Sequence, residues 1–197
     1  HVDNSTLIRT ALCDADPVSR THTLAELPLS GKLNLRGNSD DEDFRQAVEG
    51  VLELALPIRA NTTANNAERQ LFWLGPDEWL ITMPLEQLAS IAESLNTALG
   101  TQHAAVTEIS DYYTTVEFRG PQAREVIRAA SPLDIRPENF GPGQCAQTRF
   151  GHASILLWPV DETPSFRIQV RWSYAQYVYD YLADSMRNAE AIGTISS

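Results

Sequence analysis

The sequence predicts an α+β fold, a duplicated strand-helix-strand-strand-helix unit whose antiparallel-rich sheet is covered by helices. Three observations predict it. Two short apolar-rich runs, residues 71–74 and 79–83, flank Gly75-Pro76-Asp77-Glu78, which has turn chemistry throughout and so reads as a hairpin. Leu85, Leu88, Ala92, Leu95 and Leu99 then recur at helical spacing, between a Pro that suits a helix start and a Gly that suits its end. The pattern also repeats: Arg36-Gly37 and Arg119-Gly120 stand 83 residues apart, and Leu74 and Trp158 stand 84 apart.

In chain order, residues 1–30 have weak periodicity and read as an extended N-terminal arm. The first repeat, residues 31–110, opens on the alternating strand Lys32-Leu33-Asn34-Leu35-Arg36, closed by Gly37. Ser39 and Asp40 are positioned to cap a helix with Asp and Glu in its first turn. Phe44, Ala47, Val48, Val51, Leu52 and Leu54 form its apolar side before Pro57 stops it. The hairpin and second helix follow, then a strand over 104–109. The second repeat, residues 111–190, runs through a strand at 115–119, a helix at 122–130, and strands near 144–150, 155–158 and 166–172. It ends in a helix from Tyr174 to about Asn188, the two halves being expected to pack as one domain.

Composition narrows the function classes. A chain of 197 residues with 43% hydrophobic residues can bury a substantial core. No apolar run approaches the ~20 residues a membrane helix needs, and the first residues carry no basic-then-apolar signal pattern, so a cytoplasmic protein is expected. Net charge is −11, which repels phosphate backbones and argues against a nucleic-acid partner. Lys32 is the single lysine, so nearly all positive charge is Arg, the cation favoured at protein interfaces; genome composition produces the same bias. Cys13 and Cys145 make no disulfide framework and read as free thiols.

A search for chemistry returns little. Gly31, Gly37, Gly141 and Gly143 never reach a GxGxxG or Walker spacing. Each Arg-Gly pair before a helix could present amides to an anion, or could mark a turn that requires Gly. His22, His103 and His152 are isolated, so no metal site is expected. Cys145, in Gly143-Gln144-Cys145-Ala146-Gln147-Thr148-Arg149, is either a reactive thiol with His152 as base or a small residue packed inward. The acids at 40–43 read as a helix start and Asp77-Glu78 as a solvated hairpin tip. No catalytic, cofactor-binding or metal residue is therefore assigned. The positive signal is surplus aromatic surface on the last helix, where Tyr174, Tyr177 and Tyr181 share a face with Val178 and Tyr179 points elsewhere. With Arg149, Arg167 and Arg171 on nearby strands, these tyrosines are the candidate interface.

Leu74-Gly75-Pro76-Asp77-Glu78-Trp79-Leu80, Ser131-Pro132-Leu133-Asp134-Ile135 and residues 143–149, in this order, resemble the gamma subunit of bacterial heterotetrameric sarcosine oxidase, over about Leu24 to Leu182. The resemblance implies a fold like the folate-binding domain of glycine-cleavage aminomethyltransferases. It also implies a non-catalytic structural role in an enzyme that demethylates sarcosine to glycine, forms hydrogen peroxide and passes the one-carbon unit to tetrahydrofolate. The implied partners are alpha, beta and delta subunits, with FAD and covalent FMN in beta, NAD and folate sites in alpha, and zinc in delta. A matching subunit of an N-methylglutamate or dimethylglycine oxidising complex, or a stand-alone folate-binding protein, are the alternative readings.

Overall fold

A computed structural model describes residues 11–12, 22–161 and 164–195, with side chains of the last helix described to Asn188. The strands are β1 (Thr23–Glu26), β2 (Gly31–Arg36), β3 (Thr63–Asn65), β4 (Gln70–Gly75), β5 (Glu78–Met83), β6 (Ala105–Glu108), β7 (Tyr113–Arg119), β8 (Ala146–Phe150), β9 (Ala153–Pro159) and β10 (Ser165–Arg171). The helices are α1 (Glu42–Leu52), α2 (Leu88–Leu99), α3 (Ala123–Ala130) and α4 (Trp172–Ile195). The chain divides into two compact units. The N unit holds residues 29–110 and 143–146, and the C unit holds the rest, including β1.

The sheet of the N unit runs β3-β4-β5-β2-β6, with every neighbouring pair antiparallel. Alternation sends Leu33 and Leu35 of β2 into the helix-covered core, joined there by Leu71, Trp79 and Ile81. α1 adds Phe44, Val48 and Leu52, one residue per turn down one side, and α2 adds Leu88, Ile91, Leu95 and Leu99. Asp41, not Ser39 or Asp40, is the N-cap of α1, its carboxylate accepting from the amides of Asp43 and Phe44 at 2.9 and 3.4 Å. Ser39 instead donates its hydroxyl to the carbonyl of Pro76 at 2.9 Å. α1 ends five residues before Pro57, where Glu53 turns left-handed at φ 55° and Arg69 Nη1 donates to the Leu52 carbonyl at 3.0 Å. Trp79 locks the centre: it is fully buried, lies against Phe44 and donates its indole N–H to Pro57 at 2.8 Å.

The sheet of the C unit runs β8-β9-β10-β7-β1. Its order matches the first strand for strand, with β1 in the place of β6. β1 lies before the expected first repeat in the sequence yet pairs with β7, Leu24 opposite Phe118, whereas β6 pairs with β2, Leu35 opposite Val106. Each repeat in chain order is therefore strand-strand-helix-strand-strand-strand-helix, and each gives its first strand to the other's sheet. Residues 23–26, expected in an extended arm, are a sheet strand; Leu12 is buried, its amide donating to Glu26 at 3.1 Å, and Thr114 also donates to that carboxylate. Residues 1–10 and 13–21 of the expected arm, with Cys13, lie outside the described residues.

α3 and α4 bury one side each in the C unit: Ala123, Val126 and Ile127 from α3, and Ala175, Val178, Tyr179, Leu182, Ala183 and Met186 from α4. The spacing within the α4 set is that of a helix stripe. α4 begins at Trp172, where the sequence pattern extended the preceding strand.

Candidate functional site

The two Arg-Gly corners are structural. At the first, a Cβ on Gly37 would meet the Phe44 ring at 2.2 Å, so only Gly allows the helix to pack this close. Arg36 is held by Asp77 at 3.3 Å and Glu78 at 2.8 Å, which makes the hairpin-tip acids its ion-pair partners. At the second, a Cβ on Gly120 would lie 2.1 Å from the His22 ring, and Gly120 has φ +153°. The buried His22 ring stacks on Phe118, and its Nε2 accepts from the Gln122 amide at 3.4 Å, the position an anion would need. Arg119 here meets Asp161 at 3.6 Å, the counterpart of the Arg36 pair.

The Gly-Pro loop resolves toward packing. Cys145 is fully buried in the N unit, its Sγ 3.6 Å from the carbonyls of Thr62 and Trp73. Burial pushes its thiol up to about 12, the opposite of what a nucleophile needs. Its amide donates to Asn61 at 2.9 Å. His152 sits in the C unit beside Tyr177. The Ser131–Ile135 motif is a self-tied loop. Ser131 Oγ lies 3.2 Å from Thr148 Oγ1, and Arg124 donates to the Ile135 carbonyl while stacking over Phe166 at 4.9 Å. Hydrogen bonds from Arg136 first and Asn139 second hold the exposed Asp134 well below the usual carboxylate range. Among the described residues, no three His, Cys, Asp or Glu side chains form a group that could hold a metal ion. No helix among them is long and apolar enough to cross a membrane.

The candidate interface residues separate into two sets. Tyr179 is buried inside its own unit. Tyr181 is half-buried with its ring edge-on to Phe150 at 5.0 Å, and the Tyr177 hydroxyl accepts from the His152 amide at 3.4 Å. Arg167 is tied to Glu117 at 2.9 Å. Tyr174, Arg149 and Arg171 remain exposed, with Arg171 placed over the Tyr113 ring at 5.6 Å. Two further aromatic residues that the sequence pattern does not single out are exposed, Tyr112 and Trp172. Trp172 was hidden by being counted into a strand. The adjacent Tyr112-Tyr113 pair was the available signal for the other.

Fold and site together describe a duplicated α+β module whose conspicuous polar motifs serve its own packing, and which leaves aromatic surface exposed. The same fold occurs in glycine cleavage system aminomethyltransferase T from Bartonella henselae, at a TM-score of 0.57 and 14% identity over 82% of this chain and 45% of that one. Residues 36–188 match the sarcosine oxidase, gamma subunit family, and the chain belongs to that family. It is 30% identical over 175 residues to sarcosine oxidase subunit gamma of Corynebacterium sp. strain U-96, covering 87% of this chain and 82% of the relative. It is also 30% identical over 167 residues to the strain P-1 subunit, covering 84% and 80%. A chain of the heterotetrameric sarcosine oxidase from Corynebacterium sp. U-96, solved with pyrrole 2-carboxylate, superposes at a TM-score of 0.84 with 26% identity, over 92% of this chain and 96% of that one.

Proposed function

We propose that this chain is the gamma subunit of a heterotetrameric sarcosine oxidase and serves it as an assembly element without catalytic residues of its own. The observation that carries the reading is the near full-length superposition, at a TM-score of 0.84, on a chain of such an enzyme. Support for the non-catalytic part comes from how the reactive side chains are used. The Cys145 thiol is buried with a raised pKa, and Arg36, Arg119 and Arg167 are spent on ion pairs within the fold.

In this reading the alpha, beta and delta subunits are the partners and carry FAD, FMN, NAD, tetrahydrofolate and zinc. The assembled enzyme converts sarcosine to glycine with hydrogen peroxide and one-carbon transfer to tetrahydrofolate, in the cytoplasm. Co-expression with the other subunits tests it. The chain should co-purify in a complex that oxidises sarcosine, while the isolated chain should show no flavin absorbance and bind no folate in titration. Flavin or folate bound by the isolated chain, or failure to enter the complex, overturns the proposal.

A further inference from the structure

Five large hydrophobic residues are exposed among the described residues: Ile58, Leu85, Tyr112, Trp172 and Tyr174. Ile58 and Leu85 belong to the N unit. The other three gather at one end of the C-unit sheet, exposed by 60, 39 and 42%. The ladder brings them together, because Arg171 of β10 lies opposite Tyr113 of β7. Tyr112 directly precedes one member of that pair and Trp172 directly follows the other, with Tyr174 in the first turn of α4. Nothing in the topology asks for aromatic residues here. The matching end of the N-unit sheet follows Met83 with Pro84 and Leu85 and has no aromatic ring.

Arg171 stands within this patch. Arg36, Arg69, Arg119, Arg136, Arg167 and Arg187 each meet a carboxylate. Arg171, like Arg45, Arg59, Arg124, Arg128 and Arg149, meets none among the described residues, and it alone of these covers a tyrosine ring, that of Tyr113. Trp, Tyr and Arg grouped on a surface are the composition that dominates binding energy at protein interfaces. Three half-exposed rings offer on the order of a few hundred Å², against ~800 Å² per partner in a standard interface, so the patch suits the centre of a contact rather than its full extent.

We propose that Tyr112, Trp172 and Tyr174, grouped around Arg171, form the seat on which another subunit of the oxidase docks, presenting an apolar segment beside a carboxylate that pairs with Arg171. The inference rests on the proposed function. Charge selects a different chain as occupant: two copies carrying −11 each repel one another, and the one cation at the centre of the patch calls for a single carboxylate at that point on a partner less acidic than this chain.

The test uses the full chain co-expressed with its partner subunits. Tyr112→Ser, Trp172→Ser and Tyr174→Ser are combined in one variant, Arg171→Glu is a second, and Ile58→Ser with Leu85→Ser is the control. Dissociation on dilution is followed by size-exclusion chromatography and native mass spectrometry. Loss of the rings should weaken the complex by about 100-fold or more and charge reversal by about tenfold or more, with the control unchanged. Should the triple variant fail to fold alone, by circular dichroism and melting, Arg171→Glu and single Tyr174→Ser decide. Complexes of these variants that persist to the wild-type dilution overturn the seat and leave the proposed function standing. A wild-type chain that never joins the complex overturns both. If the isolated chain is a dimer that the triple variant splits, while the mixed complex is unaffected, the occupant is a second copy and the proposal is wrong.

Discussion

The N and C units enforce one backbone constraint with different chain segments. In both, the strand that leads into the first helix runs into Arg-Gly, and in both an aromatic ring lies where a Cβ would stand. In the N unit that ring is Phe44, from the helix that follows at once. In the C unit it is His22, from the segment leading into β1, about a hundred residues earlier in the sequence. What the duplication keeps is the space around the corner, and different residues fill it. The reciprocal gift of first strands explains the change of donor: β1 crosses to the C-unit sheet and carries His22 with it.

The largest expected effect tests the N-unit side of this comparison. Trp79→Ala removes a fully buried ring and the indole bond to Pro57, and should cost about 4 kcal/mol. Urea unfolding followed by circular dichroism and by fluorescence of the remaining tryptophans measures it. Because each repeat lends a strand to the other unit's sheet, both signals should shift to the same lower midpoint. A C-unit signal that stays at its wild-type midpoint would show that the exchanged strands do not couple the units.

The two glycines sharpen the contrast. Gly37→Ala forces a methyl into Phe44, which Trp79 and the core hold from behind, so overpacking of about 3 kcal/mol is expected. Gly120→Ala meets His22 at the approach to an edge strand, where the intruded segment can lift away. That yielding lowers the cost while the φ of +153° at Gly120 adds backbone strain, so a similar loss of about 3 kcal/mol is expected, with faster hydrogen exchange at Leu24 and Glu26. Exchange in β1 that stays as slow as in β7 would mean the crossed strand is held as firmly as the central ones.

Legibility followed the range of the determining contacts. The β4–β5 hairpin, α1, α2 and the Arg-Gly repeat were readable because turn residues and helical spacing act within a few positions. β1 was not, since Thr-Leu-Ala-Glu becomes a strand only through partners at 116–119. The sequence offers the cap of α1 one or two residues early because Ser39, Asp40 and Asp41 all have suitable side chains, and only the turn geometry chooses. The buried side of α4 was misphased. Four tyrosines drew attention, whereas the stripe is set by Ala175, Val178, Leu182, Ala183 and Met186, with Tyr179 the one ring fully inside. Of the candidate interface, Tyr174 and Arg171 were visible by composition. Their grouping with Tyr112 and Trp172 needed the register of β7 and β10.

A smaller effect separates the two first helices. Asp41→Ala removes the cap of α1 and should cost about 1 kcal/mol by thermal unfolding. The N-cap of α3, Gln122, makes no side-chain cap bond, so Gln122→Ala should change stability by less than about 0.5 kcal/mol. A larger loss there would show that the Gln122 side chain takes part in holding His22.

The smallest effect is expected at Cys145, where the two readings of the loop part most clearly. A nucleophilic thiol has a depressed pKa and access to solvent, whereas this one is buried and raised from 9.0 to about 12. In a Cys13→Ser background the folded chain should therefore not react with a disulfide reagent at pH 8, and the unfolded chain should react at once. Cys145→Ser should leave sarcosine turnover of the assembled enzyme within a few-fold of normal. The same shift fixes a pH dependence. The folded-state pKa is above the unfolded one, so the contribution to stability is fully present below about pH 9 and is lost as pH rises toward 12. Wild-type stability should fall across that window more steeply than that of Cys145→Ala, which has no proton to release there. Fast labelling of the folded protein at pH 8, or identical slopes in the two proteins, would show a thiol open to solvent and return the loop to the list of candidate chemical sites.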